Sequence, residues 1–210
     1  MGPLWFKYLY LAGVLFTYFV RISGVTETAR HSKKEDLLSP KDKVKREGVL
    51  ISVIMLFWFA ASQVLPIFYT TTSAFDFAEI SRPFWLGILG IVIFIFALWL
   101  LWRAHHDLGK NWSSTVQIRS EQALVTQGIY HYLRHPIYSA HILWGLAQAL
   151  MLPNWLAGWG GLLFIIPVFL IRIPNEEKTM IDQFGEAYVQ YMEKVGGVFP
   201  KLTRAKDSTP

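Results

Sequence analysis

The sequence predicts an all-α fold: a polytopic integral membrane helical bundle of about five transmembrane helices, followed by a C-terminal amphipathic helix on the cytoplasmic side. Three observations predict it. Of 210 residues, 53% are hydrophobic and only 17% charged, where soluble domains carry about 25% charged residues, and the mean hydropathy is +0.32. Three stretches, Val49–Tyr69, Pro83–Trp102 and Ile137–Ile171, contain no charged residue at all. The basic residues, finally, are strongly segregated along the chain.

The first apolar stretch, Leu4–Val20, carries Lys7 near one end, where a lysine can snorkel to the interface. It has no basic residue before Lys7 and no small-residue cleavage pattern, so it reads as an uncleaved span and not a signal peptide. Val49–Tyr69 and Pro83–Trp102 match the roughly 20 residues that cross a hydrocarbon core. Ile137–Ile171 holds 35 residues, which as one helix would measure about 50 Å at about 1.5 Å per residue. That exceeds a core about 30 Å thick, so a hairpin of two spans turning at Pro153–Asn154 is expected. Beyond Pro174 the chain turns polar, and Phe184, Tyr188, Tyr191 and Val195 recur at helical spacing. This predicts an amphipathic helix on the inner membrane surface, ended by Gly196-Gly197. Pro174 is expected to disrupt the helix and to bias Ile173 towards an extended conformation.

Charge gives the orientation. Eight Lys/Arg lie in Arg21–Glu47, four in Arg103–Arg134 and six from Arg172 onward. With five spans these 18 share one face and only Lys7 and Arg82 lie elsewhere; with four spans the split is 12 against 8. The positive-inside rule then puts the N-terminus outside and the C-terminus in the cytoplasm. It also accounts for the net charge of +5 without nucleic acid, the basic loop 21–47 being a topology signal beside anionic lipid. The chain reads as one membrane domain over 1–210, with three spans and the basic loop in 1–107 and the hairpin 137–171 within 108–200. Its compactness suits a prokaryotic plasma membrane.

No cysteine is present, which excludes disulfides, thiolate metal sites and Cys nucleophiles. No Gly-x-Gly-x-x-Gly follows a strand pattern, so a Rossmann cofactor site is not indicated. His105-His106-Asp107 is a poor metal site, because adjacent helical histidines diverge by about 100° and a third ligand is missing. Metal is not expected. Gly158, Gly160 and Gly161 read as contacts for close helix packing, and His141 and Gln148 as partners in interhelical hydrogen bonds or as lining of a substrate cavity. Pro167 is expected to kink the last span.

Two polar clusters flank the hairpin: Leu124-Val125-Thr126-Gln127-Gly128-Ile129-Tyr130-His131-Tyr132-Leu133-Arg134-His135-Pro136-Ile137-Tyr138 on entry, and Arg172-Ile173-Pro174-Asn175-Glu176-Glu177 on exit. A hairpin brings its open ends together, so both meet on the cytoplasmic side. Each residue alone is an ordinary helix-end or interfacial residue. Converging ionisable groups at the edge of hydrocarbon default to a functional reading.

These two motifs, with Phe184-Gly185-Glu186-Ala187-Tyr188-x-x-Tyr191, resemble the isoprenylcysteine carboxyl methyltransferase family over about Leu108 to Pro200. The resemblance implies a small membrane helical bundle that uses S-adenosyl-L-methionine, held by the last hairpin and the C-terminal helix. Residue by residue it implies cofactor contacts from Gln122, Ala123, Leu124, Val125, Tyr130, His135, Pro136, Ile137, Tyr138 and Glu176, with Gln117 and Glu177 beside them. It implies Arg172 at the substrate and, with Glu176, at the reacting centre. Five spans are fewer than the eukaryotic members have.

Methyl transfer from a sulfonium needs alignment and desolvation and no covalent intermediate. Arg172 could hold a carboxylate acceptor with a bidentate pair, and Glu176 could pair with the ammonium of the cofactor. Tyr130 and Tyr138 offer aromatic faces. A carboxylate is already ionised and needs no base; an amine acceptor would need one, for which His135 and Glu177 are the candidates. The expected partners are the lipid bilayer and a lipophilic small-molecule or prenylated acceptor. Phospholipid N-methylation and small-thiol S-methylation are alternatives within the superfamily, and a non-catalytic lipid-binding or assembly role is the rival from a different class.

Overall fold

A computed structural model describes residues 4–31, 48–109 and 123–201. Among the described residues all regular structure is helical, apart from two isolated bridges, Glu79 with Asn154 and Leu133 with Gly196. The helices are α1 (Leu4–His31), α2 (Val49–Phe59), α3 (Leu65–Thr71), α4 (Phe84–Leu108), α5 (Pro136–Met151), α6 (Trp155–Phe184) and α7 (Glu186–Lys194). A π-helical segment, Ala60–Val64, joins α2 to α3. By length and composition, three helices can cross a membrane: Val49–Thr71, Phe84–Leu108 and Trp155–Phe184. Trp5–Val20 is a shorter apolar helix, and α5 has only 16 residues.

The short α5 lies at the centre, packed between α4 and α6. Its buried residues are mostly small or polar (Ser139, Ala140, His141, Gly145, Ala147, Gln148, Ala149). Small residues let helix backbones approach closely, as membrane packing requires. The turn falls where the sequence put it: Leu152, Pro153 and Asn154 separate the two helices, and the fully buried Asn154 caps α6 through the backbone N–H groups of Leu156 and Ala157, 3.0 Å each.

A buried polar knot ties α1, the π segment, α5 and α6. The Tyr10 hydroxyl lies 2.8 Å from the Ser62 carbonyl and 2.7 Å from Gln148 Oε1, and accepts a bond from Trp144 Nε1 at 2.8 Å. Gln148 Nε2 donates to the carbonyls of Ala61 (2.9 Å) and Ala157 (2.6 Å). Pro66 explains one of these acceptors. It has no N–H to offer the Ser62 carbonyl four residues earlier, so Tyr10 supplies the donor. Gln148 is thus an interhelical hydrogen bonder. His141 instead bonds its own helix, Nδ1 to the Ile137 carbonyl at 2.6 Å, and packs among Trp58, Trp144 and Phe169.

The glycines of α6 serve contact. A Cβ on Gly158 would sit 2.6 Å from the Leu152 carbonyl oxygen, one on Gly160 3.0 Å from the Ala61 Cβ, and one on Gly161 2.4 Å from Gln148 Oε1. The clash at Gly158 is with backbone, which cannot move aside. Gly158→Ala is therefore expected to cost about 1–3 kcal/mol, the range for overpacking a core. A lowered thermal unfolding midpoint in detergent checks this, while a solvent-side control such as Asn175→Ala should leave the midpoint in place.

The connector 23–47, expected to be partly helical, is helical as far as His31, where α1 ends; 32–47 lies outside the described residues. Three expectations need correction. First, Lys7 does not snorkel to water. It is 9% exposed, its Nζ 3.7 Å over the Tyr69 ring and 3.7 Å from Glu79 Oε1, because the connection after α3 folds a carboxylate against it. Second, Pro174 stays inside α6 and Ile173 is helical. The Arg172–Glu176 pair, one helical turn apart and 3.4 Å between Nη2 and Oε1, spans the proline and favours the helix. Third, the amphipathic helix does not turn its apolar face to lipid. Gly185, at φ 53°, redirects the chain, and Tyr188, Tyr191 and Val195 pack into the protein against Leu124, Met180, Phe184 and Met192.

Candidate active site

The open end of the hairpin gathers the two polar clusters. Pro136 is the first residue of α5, where a missing N–H costs nothing, and His135 precedes it. On the facing helix, continuation past Pro174 puts the adjacent Glu176 and Glu177 one turn beyond Arg172. Glu177 Oε1 accepts from Arg134 Nε (3.0 Å) and Nη2 (2.7 Å), and lies 3.0 Å from His135 Nε2. A carboxylate only accepts, so that nitrogen carries the proton. The remaining His135 nitrogen, Nδ1, lies 3.8 Å from Glu176 Oε2. Glu176 Oε1 accepts from the Tyr138 hydroxyl and pairs with Arg172.

Arg134 also closes the C-terminal side. Its Nη1 donates to the carbonyls of Met192 and Val195. The tail then runs alongside: the backbone N–H of Arg134 bonds Gly196 O (2.8 Å), that of His135 bonds Gly197 O (3.2 Å), and the Ser139 hydroxyl lies against the Val198 carbonyl. A Cβ on Gly196 would meet the Phe199 carbonyl at 2.0 Å. The Gly196-Gly197 pair therefore permits a tight docking turn as well as ending a helix. This latch of Arg134, Glu177 and the Gly-Gly tail was not read from the sequence; the signal available was an Arg-His pair before a helix-starting proline.

The inner wall is aromatic and apolar. His135 stacks on Tyr138 (5.6 Å between centroids, 13°) and Tyr138 on Phe169 (4.4 Å, 29°). Arg172, its side chain 12% exposed, lies with Nη1 3.5 Å from Met55 Sδ of α2. Tyr138, Met55, Ile142 and Ile173 border the cluster of Trp58, Ile165, Val168 and Phe169. A guanidinium thus sits between an apolar side-chain cluster and the polar end of the hairpin.

Not every candidate residue joins this centre. Gln117 and Gln122 lie outside the described residues. Ala123 is exposed and Val125 half-buried, Leu124 packs on α7, and Pro136 is fully buried. Ile137 packs against the central core. Tyr130 is buried behind the site: its hydroxyl lies 3.4 Å from the Ala104 carbonyl, and its own carbonyl accepts from the Tyr191 hydroxyl. Burial pushes the Tyr130 and Tyr191 phenols up, and Tyr188, buried and near Glu177, up to about 12. All three stay neutral at physiological pH, and Tyr191 remains a donor. Asp107 serves structure: it accepts from Arg103 Nε (2.9 Å) and from the Ile129 N–H (2.8 Å). Among the described residues no group of three His, Asp or Glu could hold a metal.

Comparisons place this arrangement in context. A model of the isoprenylcysteine carboxyl methyltransferase family matches residues 88–182. The chain is 26% identical over 153 residues to protein-S-isoprenylcysteine O-methyltransferase B of Arabidopsis thaliana, 72% of this chain and 78% of the relative. It is 30% identical over 131 residues to a protein of Oryza sativa subsp. indica named as a probable protein-S-isoprenylcysteine O-methyltransferase, 61% of this chain and 69% of the relative. With the Homo sapiens protein-S-isoprenylcysteine O-methyltransferase it shares 30% over 130 residues and spans 46% of that protein's length. In fold it is similar to a solved eukaryotic intramembrane Ras methyltransferase, with a TM-score of 0.61 and 22% identity, covering 91% of this chain and 64% of that one.

Proposed function

We propose, for a chain that belongs to the isoprenylcysteine carboxyl methyltransferase family and is thereby a membrane methyltransferase, that its donor is S-adenosyl-L-methionine and its acceptor the carboxylate of an isoprenylcysteine-like, lipophilic molecule. The observation that carries the acceptor is Arg172, a cation held by Glu176 on one side and bordered by Met55 and the Trp58–Phe169 cluster on the other.

The donor supplies an electrophilic methyl group when bound. The residues present fit it in charge: Glu176, its side chain 22% exposed, suits the ammonium of the methionine part. Tyr138 and Arg172 orient that carboxylate. Arg172 also holds the acceptor carboxylate in line, while the aromatic wall keeps water out, which strengthens both charge pairs. No proton has to move, since the acceptor is ionised at pH 7.

Phospholipid N-methylation is the second reading. An amine must lose a proton, and with Nε2 donated to Glu177 the nitrogen of His135 left to take it is Nδ1, on the side of Glu176.

We further propose five membrane crossings, with the N-terminus outside, the site cytoplasmic and the membrane a prokaryotic plasma membrane; the segregation of the basic residues supports the orientation. The test of the cofactor is calorimetric titration of the detergent-purified chain with S-adenosylhomocysteine. Saturable binding is expected, weakened at least tenfold in Glu176→Ala, the loss of one charge-assisted contact. No binding to folded wild-type protein would refute the reading. Unchanged affinity in the variant would remove Glu176 from the site.

A further inference from the structure

Outside the hairpin site, a cleft of about 430 Å³ opens between α4 and the 128–131 turn, lined by Trp99, Arg103, Gly128, Ile129, His131 and Tyr132. Such a volume falls within the range of small-ligand sites. None of the residues that meet at the hairpin's open end lines it.

Its depth is set by the helix. Arg103 and Trp99 precede Leu108, the last residue of α4, by about 8 and 14 Å at about 1.5 Å per residue, which puts them at the headgroup and upper acyl level of a crossing helix. The surrounding exposed side chains are those of a membrane interface: Trp99, Trp102 and Tyr132. Asp107 fixes both walls at once, accepting from Arg103 on α4 and from the Ile129 N–H on the turn. It faces the turn so closely that a Cβ on Gly128 would meet it at 2.1 Å.

The chemistry of the lining is basic above and aromatic below. Asp107 takes the Nε edge of Arg103, and a guanidinium has four further N–H donors on its two Nη atoms. His131 stands on the opposite wall against Tyr132 (5.1 Å, 89°). Deeper in the membrane Trp99 stacks on Phe96 (5.5 Å, 24°), both exposed. Among the described residues the acid paired with Arg103 is Asp107, 8% exposed in its side chain.

We propose that this cleft binds the headgroup of an anionic phospholipid, its phosphodiester at Arg103 and His131 and an acyl chain along Trp99 and Phe96. A basic pocket at the membrane surface selects anionic headgroups. A zwitterionic lipid would add an ammonium beside Arg103.

The full chain, purified in detergent, is titrated with brominated phosphatidylglycerol and with brominated phosphatidylcholine while tryptophan fluorescence is read. The expected result is saturable quenching at least about fivefold tighter for phosphatidylglycerol, the weight of about one basic residue near a membrane surface. That component should vanish in Trp99→Phe, and the preference should fall about fivefold in Arg103→Gln. Because Arg103 also braces Asp107, His131→Gln on the exposed turn is the second variant. It should lower the preference with an unchanged unfolding midpoint. Equal quenching by the two lipids, or full quenching retained in Trp99→Phe, would overturn the proposal. Displacement of the lipid by millimolar glycerol phosphate would also overturn it, assigning the cleft to a free anion.

Discussion

Arg172→Ala is expected to lower methyl transfer by about 10²–10³-fold, the usual cost of deleting one preorganised charge contact to the reacting group. S-Adenosylhomocysteine affinity should change far less, because Glu176 keeps its second partner, the Tyr138 hydroxyl. Arg172→Lys should recover little. Lysine offers a point charge where the proposed carboxylate contact uses a planar fork, and a shorter reach past Met55. Single-turnover assays with a prenylcysteine analogue, run beside calorimetry on the same preparations, separate the two effects. Wild-type turnover in a folded Arg172→Ala protein would remove Arg172 from the chemistry. Activity lost together with cofactor affinity would instead make it a brace for Glu176.

The second large effect is on stability. Glu177 joins Arg134 and His135, with side-chain exposures of 17%, 11% and 8%. Glu177→Ala strands a nearly buried guanidinium, and breaking such a pair from one side costs about 3–5 kcal/mol. The expected result is a lower unfolding midpoint with early proteolytic cleavage within 186–201, since Arg134 also holds the Met192 and Val195 carbonyls. Arg134→Ala should behave alike, and the double variant should cost clearly less than the sum of the two. Were Glu177 a cofactor ligand and not part of the latch, cofactor affinity would fall with the unfolding midpoint unchanged.

Much of this molecule is legible in its sequence because membranes impose simple rules. Uncharged stretches long enough to cross hydrocarbon, and the turn at Pro153–Asn154, follow from length and from the need to satisfy every backbone group internally. The convergence of Arg134, His135 and Tyr138 on Arg172, Glu176 and Glu177 follows from the hairpin alone, since two antiparallel helices must bring their open ends together. What periodicity and charge could not decide is which partner each polar group takes. Glu176 and Glu177 are adjacent carboxylates of one type, yet one faces Tyr138 and Arg172 and the other faces Arg134 and His135. That division arises from the angular step of about 100° between neighbouring helical residues and from the chain's passage through Pro174 without a break. Local rules disfavour that passage, and a pair across the proline favours it. In the same way Lys7, Pro174 and the apolar face of α7 each obey a local rule that a nearer partner overrides: Glu79 for the first, the Arg172–Glu176 pair for the second, and the protein's own Leu124 and Met180 for the third. Composition and spacing determine that this chain is a helical membrane protein with a polar hairpin end. Only tertiary packing decides which of its charges are braces and which face a substrate, because a charge's role depends on distances that adjacent positions in the sequence do not share.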